Sequence, residues 1–140
     1  MINTVNISTY SIEDIENFKD LAQEHWDSFQ NKQPSFDLTA LNVFKAIKAK
    51  AGDKTVGYIL YVVYKTPYHD ELWCQTDMFY LQPAFRKQGI GKRMFQFLEN
   101  EAKKQGACKM VSSFNLKQPL EGFYSNLGFT QTHVAVAKEI

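Results

Sequence analysis

The chain has 140 residues, 44% of them hydrophobic and 22% charged, which suits one soluble domain over residues 1–140 with a real core. A net charge of +1 argues against a dedicated nucleic-acid binder, although a local basic patch stays open. Cys74 and Cys108 are too few for a disulfide framework or a metal site and read as free thiols; with no membrane-length apolar run and no signal-peptide pattern, this points to the cytoplasm.

Asn3 to Tyr10 alternates, with Val5, Ile7 and Thr9 on one face, as a half-buried strand does. Ser11 and the acids after it predict a helix start, followed at helical spacing by Ile12, Ile15, Phe18, Leu21, Ala22, Trp26 and Phe29. Pro34-Ser35 interrupts this stripe, and Asp37 caps a second expected helix with Leu38, Leu41 and Phe44 inward. Lys45 to Ala51 reads as a strand, because Gly52-Asp53 is a turn signal and Thr55 to Lys65 is β-branched and aromatic. A loop over Thr66 to Asp70 leads to a strand from Leu72 to Leu81.

Residues 81–91, Leu-Gln-Pro-Ala-Phe-Arg-Lys-Gln-Gly-Ile-Gly, separate that strand from an amphipathic helix, Lys92 to Lys104. Pro83 cannot donate a ladder hydrogen bond and ends the strand. Gly89 and Gly91 let backbone bend tightly beside a ligand, and the helix start presents unpaired N–H groups with a positive dipole. Together they suit a pyrophosphate, with Arg86 and Lys87 adding charge. A Walker A loop fails, because Arg86 replaces its first glycine and Arg93 its Ser/Thr; a dinucleotide fingerprint fails at Met94.

Gln105-Gly106 closes the helix, Met110 to Phe114 is an expected strand, and Leu120 to Asn126 a short helix closed near Gly128. Gln131 to Lys138 alternates and is expected as a final strand. The predicted order β-α-α-β-β-β-α-β-α-β describes an α/β fold: a mixed sheet with helices on both faces. His25, His69 and His133 lack metal-ligand spacing and read as surface or capping residues, with His69 also placed to line an acceptor entrance.

Arg86-x-x-Gly89-x-Gly91 resembles the acyl-CoA loop of the GNAT (Gcn5-related N-acetyltransferase) family, and Phe123-Tyr-Ser-Asn-Leu-Gly-Phe129 resembles that family's Phe/Leu-Tyr-x-x-Leu-Gly-Phe segment. Glu71-Leu-Trp73 followed by Asp77-Met-Phe-Tyr80 is similar to small acetyltransferases of tailed bacteriophages. The resemblance implies a mostly antiparallel sheet splayed between its fourth and fifth strands, acetyl-CoA as donor, CoA as product and no metal. It also implies an amine-bearing acceptor, small molecule or protein, and leaves room for a homodimer.

Residue by residue, the resemblance assigns the pyrophosphate to the backbone of Arg86, Lys87, Gln88, Gly89, Ile90, Gly91 and Lys92. It assigns the pantetheine arm to the strand end at Phe79, Tyr80 and Leu81, with an N–H near Phe79 polarising the acetyl carbonyl, and also to Asn115. Tyr124 matches the family's proton donor to the departing thiolate. The base stays open between Asp77, Glu71 and water. Histone-type relatives carry a glutamate where Gln75 stands, and alternation is expected to put Glu71, Trp73, Gln75, Asp77 and Phe79 on one face. Asp77 is the best-placed carboxylate, but a free Asp titrates near about 3.9, so the role requires burial; its other reading is a polar residue fixing a strand bulge. An acyl-CoA-binding module that lost turnover is the alternative to an enzyme.

Overall fold

The β-branched and aromatic run from Val56 to Tyr64 favours pleated, buried backbone, and it forms the middle strand of a five-stranded sheet. The structure is a computed structural model describing residues 5–9, 15–28, 44–67, 70–114 and 120–140. Its elements are β1 (Val5–Thr9), α1 (Ile15–Ser28), β2 (Lys45–Ala51), β3 (Lys54–Lys65), β4 (Leu72–Leu81), α2 (Ile90–Lys104), β5 (Ala107–Val111) and α3 (Glu121–Asn126). The sheet runs β1-β2-β3-β4-β5, antiparallel except for the parallel β4–β5 pair. Parallel neighbours need a crossover, and α2 supplies it. The site-bearing loop therefore lies beyond the carboxyl end of β4, where open α/β sheets leave room for ligands.

Each face of the sheet carries its own core. Phe18, Leu21 and Ala22 of α1 pack on Tyr58, Leu60 and Tyr80. On the other face Ile90, Met94, Phe95, Leu98 and Ala102, at helical spacing along α2, cover Ile47, Ile59 and Leu81, joined by Tyr124 of α3. Helices thus lie on both faces of a mixed sheet, as expected. The expected cap at Ser11 and the helix after Asp37 lie outside the described residues.

Two expectations change. The fifth strand begins at Ala107 rather than Met110, since parallel pairing of Leu72 with Ala107 starts it directly after the α2 turn. The final strand expected over residues 131–138 is absent. Residues 131–140 are exposed without strand pairing, and Val134 and Val136 stand 87% and 92% exposed. Alternation specifies a face, not a partner, and this short Ala-containing segment has no paired neighbour among the described residues.

Candidate active site

The β4–β5 ladder stops at Gln75 opposite Val111, whereas β4 continues to Leu81 along β3. Past Gln75 the β5-facing edge of β4 has no strand partner among the described residues. Just where the ladder ends, Thr76 Oγ1 donates to Ser112 Oγ at 2.7 Å. The strands thus form a V closed at its base by two hydroxyls, with Phe79, Tyr80 and Leu81 along one open arm.

A β-bulge sits in that arm. Leu60 faces Met78 and Tyr61 faces Thr76, so Asp77 is the extra residue. A bulge breaks the two-residue alternation, which corrects the expectation that Phe79 shares a face with Gln75 and Asp77. The Phe79 ring lies on the α2 side, stacked on Phe123 at 5.4 Å and edge-on to Phe95 at 5.0 Å. Asp77 is exposed and lies near enough to Tyr58 to make that phenol harder to ionise, after the larger effects of burial and of Tyr80. The burial that a base role for Asp77 requires is missing. Gln75 is likewise exposed.

Beyond Leu81 the chain makes a 3-10 turn over Pro83–Phe85 and then two left-handed residues, Lys87 (φ 62°) and Gly89 (φ 81°). Gly89 caps α2, and the first helical bond runs from the Arg93 N–H to the Gly89 carbonyl at 3.1 Å. No backbone carbonyl among the described residues accepts from the amides of Lys87 to Lys92, so they form a cluster of donors at the positive helix end. Gln88 Nε2 braces the loop on the Ala84 carbonyl at 3.1 Å.

The glycines divide the work. A Cβ at Gly89 would enter open space, whereas one at Gly91 would come within 3.2 Å of the Phe79 and Phe123 rings. Gly91 is buried and is needed for packing, whereas Gly89 is exposed and faces open space. Arg86 also differs from a free phosphate ligand. Its Nε donates to the Leu81 carbonyl at 2.7 Å, and its guanidinium lies 5.4 Å from the Tyr80 ring centre. It fastens the loop to the strand end, leaving the exposed Lys87 and Lys92 flanking the amide cluster.

Tyr124 on α3 is 6% exposed. Its ring stacks on Phe114 and meets Phe95 and Phe129 edge-on. Its phenol lies close enough to Ser112 and Thr76, at the base of the V, for their side chains to ease its ionisation. Burial outweighs them and pushes the phenol up to about 12, so its proton stays in place at ordinary pH. Thr76 and Ser112 were not foreseen from the sequence; their only signal is that each lies one residue past the last paired position. Asn115 lies outside the described residues.

On the α1 face His25 is buried, not a surface residue as its sequence context suggested. It shares the apolar stripe of Phe18, Leu21 and Ala22, which is the signal that locates it. Its Nδ1 hydrogen-bonds the Tyr58 hydroxyl, and its ring stacks on Tyr80 at 4.7 Å. The Tyr80 hydroxyl donates to Glu24 at 2.6 Å, and Gln82 donates to the same carboxylate at 3.1 Å. Burial, then the nearby Arg86 charge, lowers the His25 pKa from 6.5 to about 4. The unfolded chain therefore binds this proton first. Stability from neutral His25 is full above 6.5 and is lost as pH falls from there through about 4. Acid unfolding followed by circular dichroism should thus begin above the carboxylate range, and His25→Gln should flatten that upper limb; an unaltered limb would assign it to other groups. Among the described residues no His, Cys, Asp and Glu cluster could hold a metal, and no helix is long and apolar enough to cross a membrane.

A profile of the acetyltransferase (GNAT) domain matches residues 43–131, well over half of the chain. No curated protein sequence matches. Among solved structures, a ribosomal-protein-alanine N-acetyltransferase from Brucella melitensis biovar Abortus 2308 superposes with a TM-score of 0.80 at 18% identity, covering 98% of both chains. The aminoglycoside acetyltransferase meta-AAC0020 from an uncultured soil metagenomic sample gives 0.82 at 19% identity, over 99% of this chain and 96% of that one. The aminoglycoside N-acetyltransferase AAC(6')-Iy in complex with CoA gives 0.76 at 15% identity, over 97% and 94%. At these identities the likeness is one of fold, while the profile spans the sheet's last strands, the glycine loop and the tyrosine helix: the chain belongs to the GNAT acetyltransferase family.

Proposed function

We propose that this chain is a cytosolic N-acetyltransferase, one domain over residues 1–140, that passes an acetyl group from acetyl-CoA directly to a primary amine. The observation that carries this reading is the V itself: an amide-rich loop at its mouth, an unpaired strand edge along one arm and a buried phenol at its base. The amides from Lys87 to Lys92 suit the pyrophosphate. The free edge at Phe79 to Leu81 suits the amide-bearing pantetheine arm, with a backbone N–H near Phe79 polarising the acetyl carbonyl. Asn115 is assigned to the same arm by resemblance.

In the transfer the amine nitrogen bonds to the acetyl carbon, the carbon–sulfur bond breaks, and one proton passes overall from nitrogen to sulfur. Tyr124 hands its proton to the departing thiolate. The acceptor approaches from the α1 side, where Asp77 is exposed at the bulge. With Asp77 unburied, the incoming ammonium loses its proton to water, and Asp77 relays it to solvent. Protein and aminoglycoside amines are the acceptors named for the similar structures, and both classes belong in the test.

Acetyl-CoA should raise the melting temperature, and thiol release should appear with at least one member of a panel of polyamines, aminoglycosides and peptide N-termini. A chain that neither shifts nor turns over would refute the proposal. Gln75 in place of the histone-type glutamate, with Asp77 exposed, favours a second reading, a CoA-binding module without turnover; a thermal shift without thiol release selects it. In the active case Asp77→Asn should slow turnover without weakening acetyl-CoA binding. The loss should shrink as pH rises and free amine accumulates; a pH–rate profile parallel to the parent's would make Asp77 a bulge residue only.

A further inference from the structure

We infer that Glu24 selects the acceptor: its carboxylate receives a second ammonium group of a small polycationic amine, a few methylenes from the nitrogen that takes the acetyl group. The inference deepens the proposed function and rests on the acetyl-bearing arm at Phe79 to Leu81 and on an acceptor entering from the α1 side. Tyr80 and Gln82 stand two apart at the end of β4, so their side chains leave on the same face. Both reach α1 and donate to Glu24, the Tyr80 hydroxyl to Oε2 at 2.6 Å and the Gln82 amide to Oε1 at 3.1 Å. The Tyr80 ring is itself fixed, stacked on His25 at 4.7 Å and with the Arg86 guanidinium 5.4 Å from its centre. The carboxylate is thus oriented before any ligand arrives, which lowers the cost of binding to it.

The charge on Glu24 has no use inside the protein. Among the described residues no Lys, Arg or His forms an ion pair with it, and its partners are the two neutral donors. Arg86 donates to the Leu81 carbonyl instead. A tie between α1 and the strand end needs an acceptor, which a glutamine would supply; it does not need a charge. A carboxylate offers about four lone-pair sites, and Glu24 is exposed, so the sites its two donors leave over are open to a ligand. The Tyr80 side chain spans from the arm to the carboxylate. Glu24 therefore stands one tyrosine side chain away from the arm, over a part of the acceptor more remote than the reacting nitrogen. An ammonium placed there forms a charge-assisted hydrogen bond. That bond is the same before and during transfer, so it acts on KM more than on kcat.

The test uses the full chain with acetyl-CoA and a series of linear α,ω-diamines, each beside the monoamine of equal length. The parent should favour the best diamine over its monoamine by about 3- to 30-fold in kcat/KM, the worth of a charge-assisted hydrogen bond reduced by solvent at an exposed site. Added salt should shrink that preference. Glu24→Gln, which keeps the length and one acceptor oxygen, should raise KM for the diamine and erase the preference, and Glu24→Lys should reverse it. Independently of turnover, calorimetric titration of the CoA-loaded chain should show the diamine binding more tightly than the monoamine, and Glu24→Gln should remove the difference. A parent that treats the two amines alike, or a Glu24→Gln variant that keeps the preference, overturns the inference alone. So does a lowered melting temperature in Glu24→Gln with equal losses for both amines, which would leave Glu24 a tie between α1 and β4. A chain that releases no thiol with any amine overturns the proposed function, and the calorimetric difference then still decides whether Glu24 receives an ammonium.

Discussion

Tyr124→Phe should lose about 10²- to 10⁴-fold in turnover, the usual worth of a placed general acid, while binding acetyl-CoA as the parent does. The substitution removes one oxygen and keeps the ring that Phe95, Phe114 and Phe129 surround. Ser112 and Thr76 keep their own 2.7 Å bond when the phenol oxygen is removed. With the phenol at about 12, Tyr124 holds its proton across the working range, and an alkaline fall in parent activity well below that belongs to another group. If the hydroxyl only supports the thioester, affinity should drop instead, by about 1 kcal/mol for one hydrogen bond. Equal losses in turnover and affinity would indicate a displaced α3. The measurement is kcat beside a CoA titration of the same preparation, and a fully active variant removes Tyr124 from the chemistry.

The parts of this fold visible in the sequence are those written in one segment. The run from Val56 to Tyr64 needed only its own composition to read as β3, and the α2 stripe only its own period. The glycine loop and the tyrosine helix were legible as short motifs with fixed spacing. What escaped depends on the partner strand or on a second face. The bulge at Asp77 exists because Leu60 and Tyr61 pair around it, and no property of the residues from Trp73 to Leu81 reveals the skipped position. Alternation carried unbroken through it put Phe79 on the wrong side. The burial of His25 needed Tyr58 and Tyr80 above it, residues from two other elements. The Thr76–Ser112 bond needed knowledge of where a parallel ladder ends. The expected strand at residues 131–138 failed for the same reason in reverse, a strand pattern without a neighbour.

Gly91→Val should cost about 1–3 kcal/mol, the range for overpacking a filled site, which lowers the melting temperature by several degrees and abolishes acetyl-CoA binding. The sequence alone put Gly91, like Gly89, where backbone bends tightly beside a ligand, so that a Cβ there would be expected to crowd the phosphates. The structure directs it the other way, to 3.2 Å from Phe79 Cζ and Phe123 Cε1. Two further methyl groups cannot fit unless those rings separate or the first turn of α2 lifts away. Either movement disturbs both ligand-side features at once, because Phe79 belongs to the open arm of β4 and the first turn carries the amide cluster. Gly91→Ala decides between the two explanations. Its single Cβ is only tight, and gaining helix propensity offsets part of the strain, up to about 1 kcal/mol. If packing is the reason for glycine, the Ala variant keeps most acetyl-CoA affinity and only Val loses it; if phosphate clearance is the reason, Ala already fails. Gly89→Ala should show the opposite balance. Its Cβ meets no protein atom, but its φ of 81° is one that other residues adopt only with strain. The amide cluster itself should then shift while the Phe79–Phe123 stack stays intact. Melting curves with and without CoA for the three variants separate a packing glycine at 91 from a backbone glycine at 89, and a normal CoA shift in Gly91→Val would show that the helix start is free to move without harm to the site.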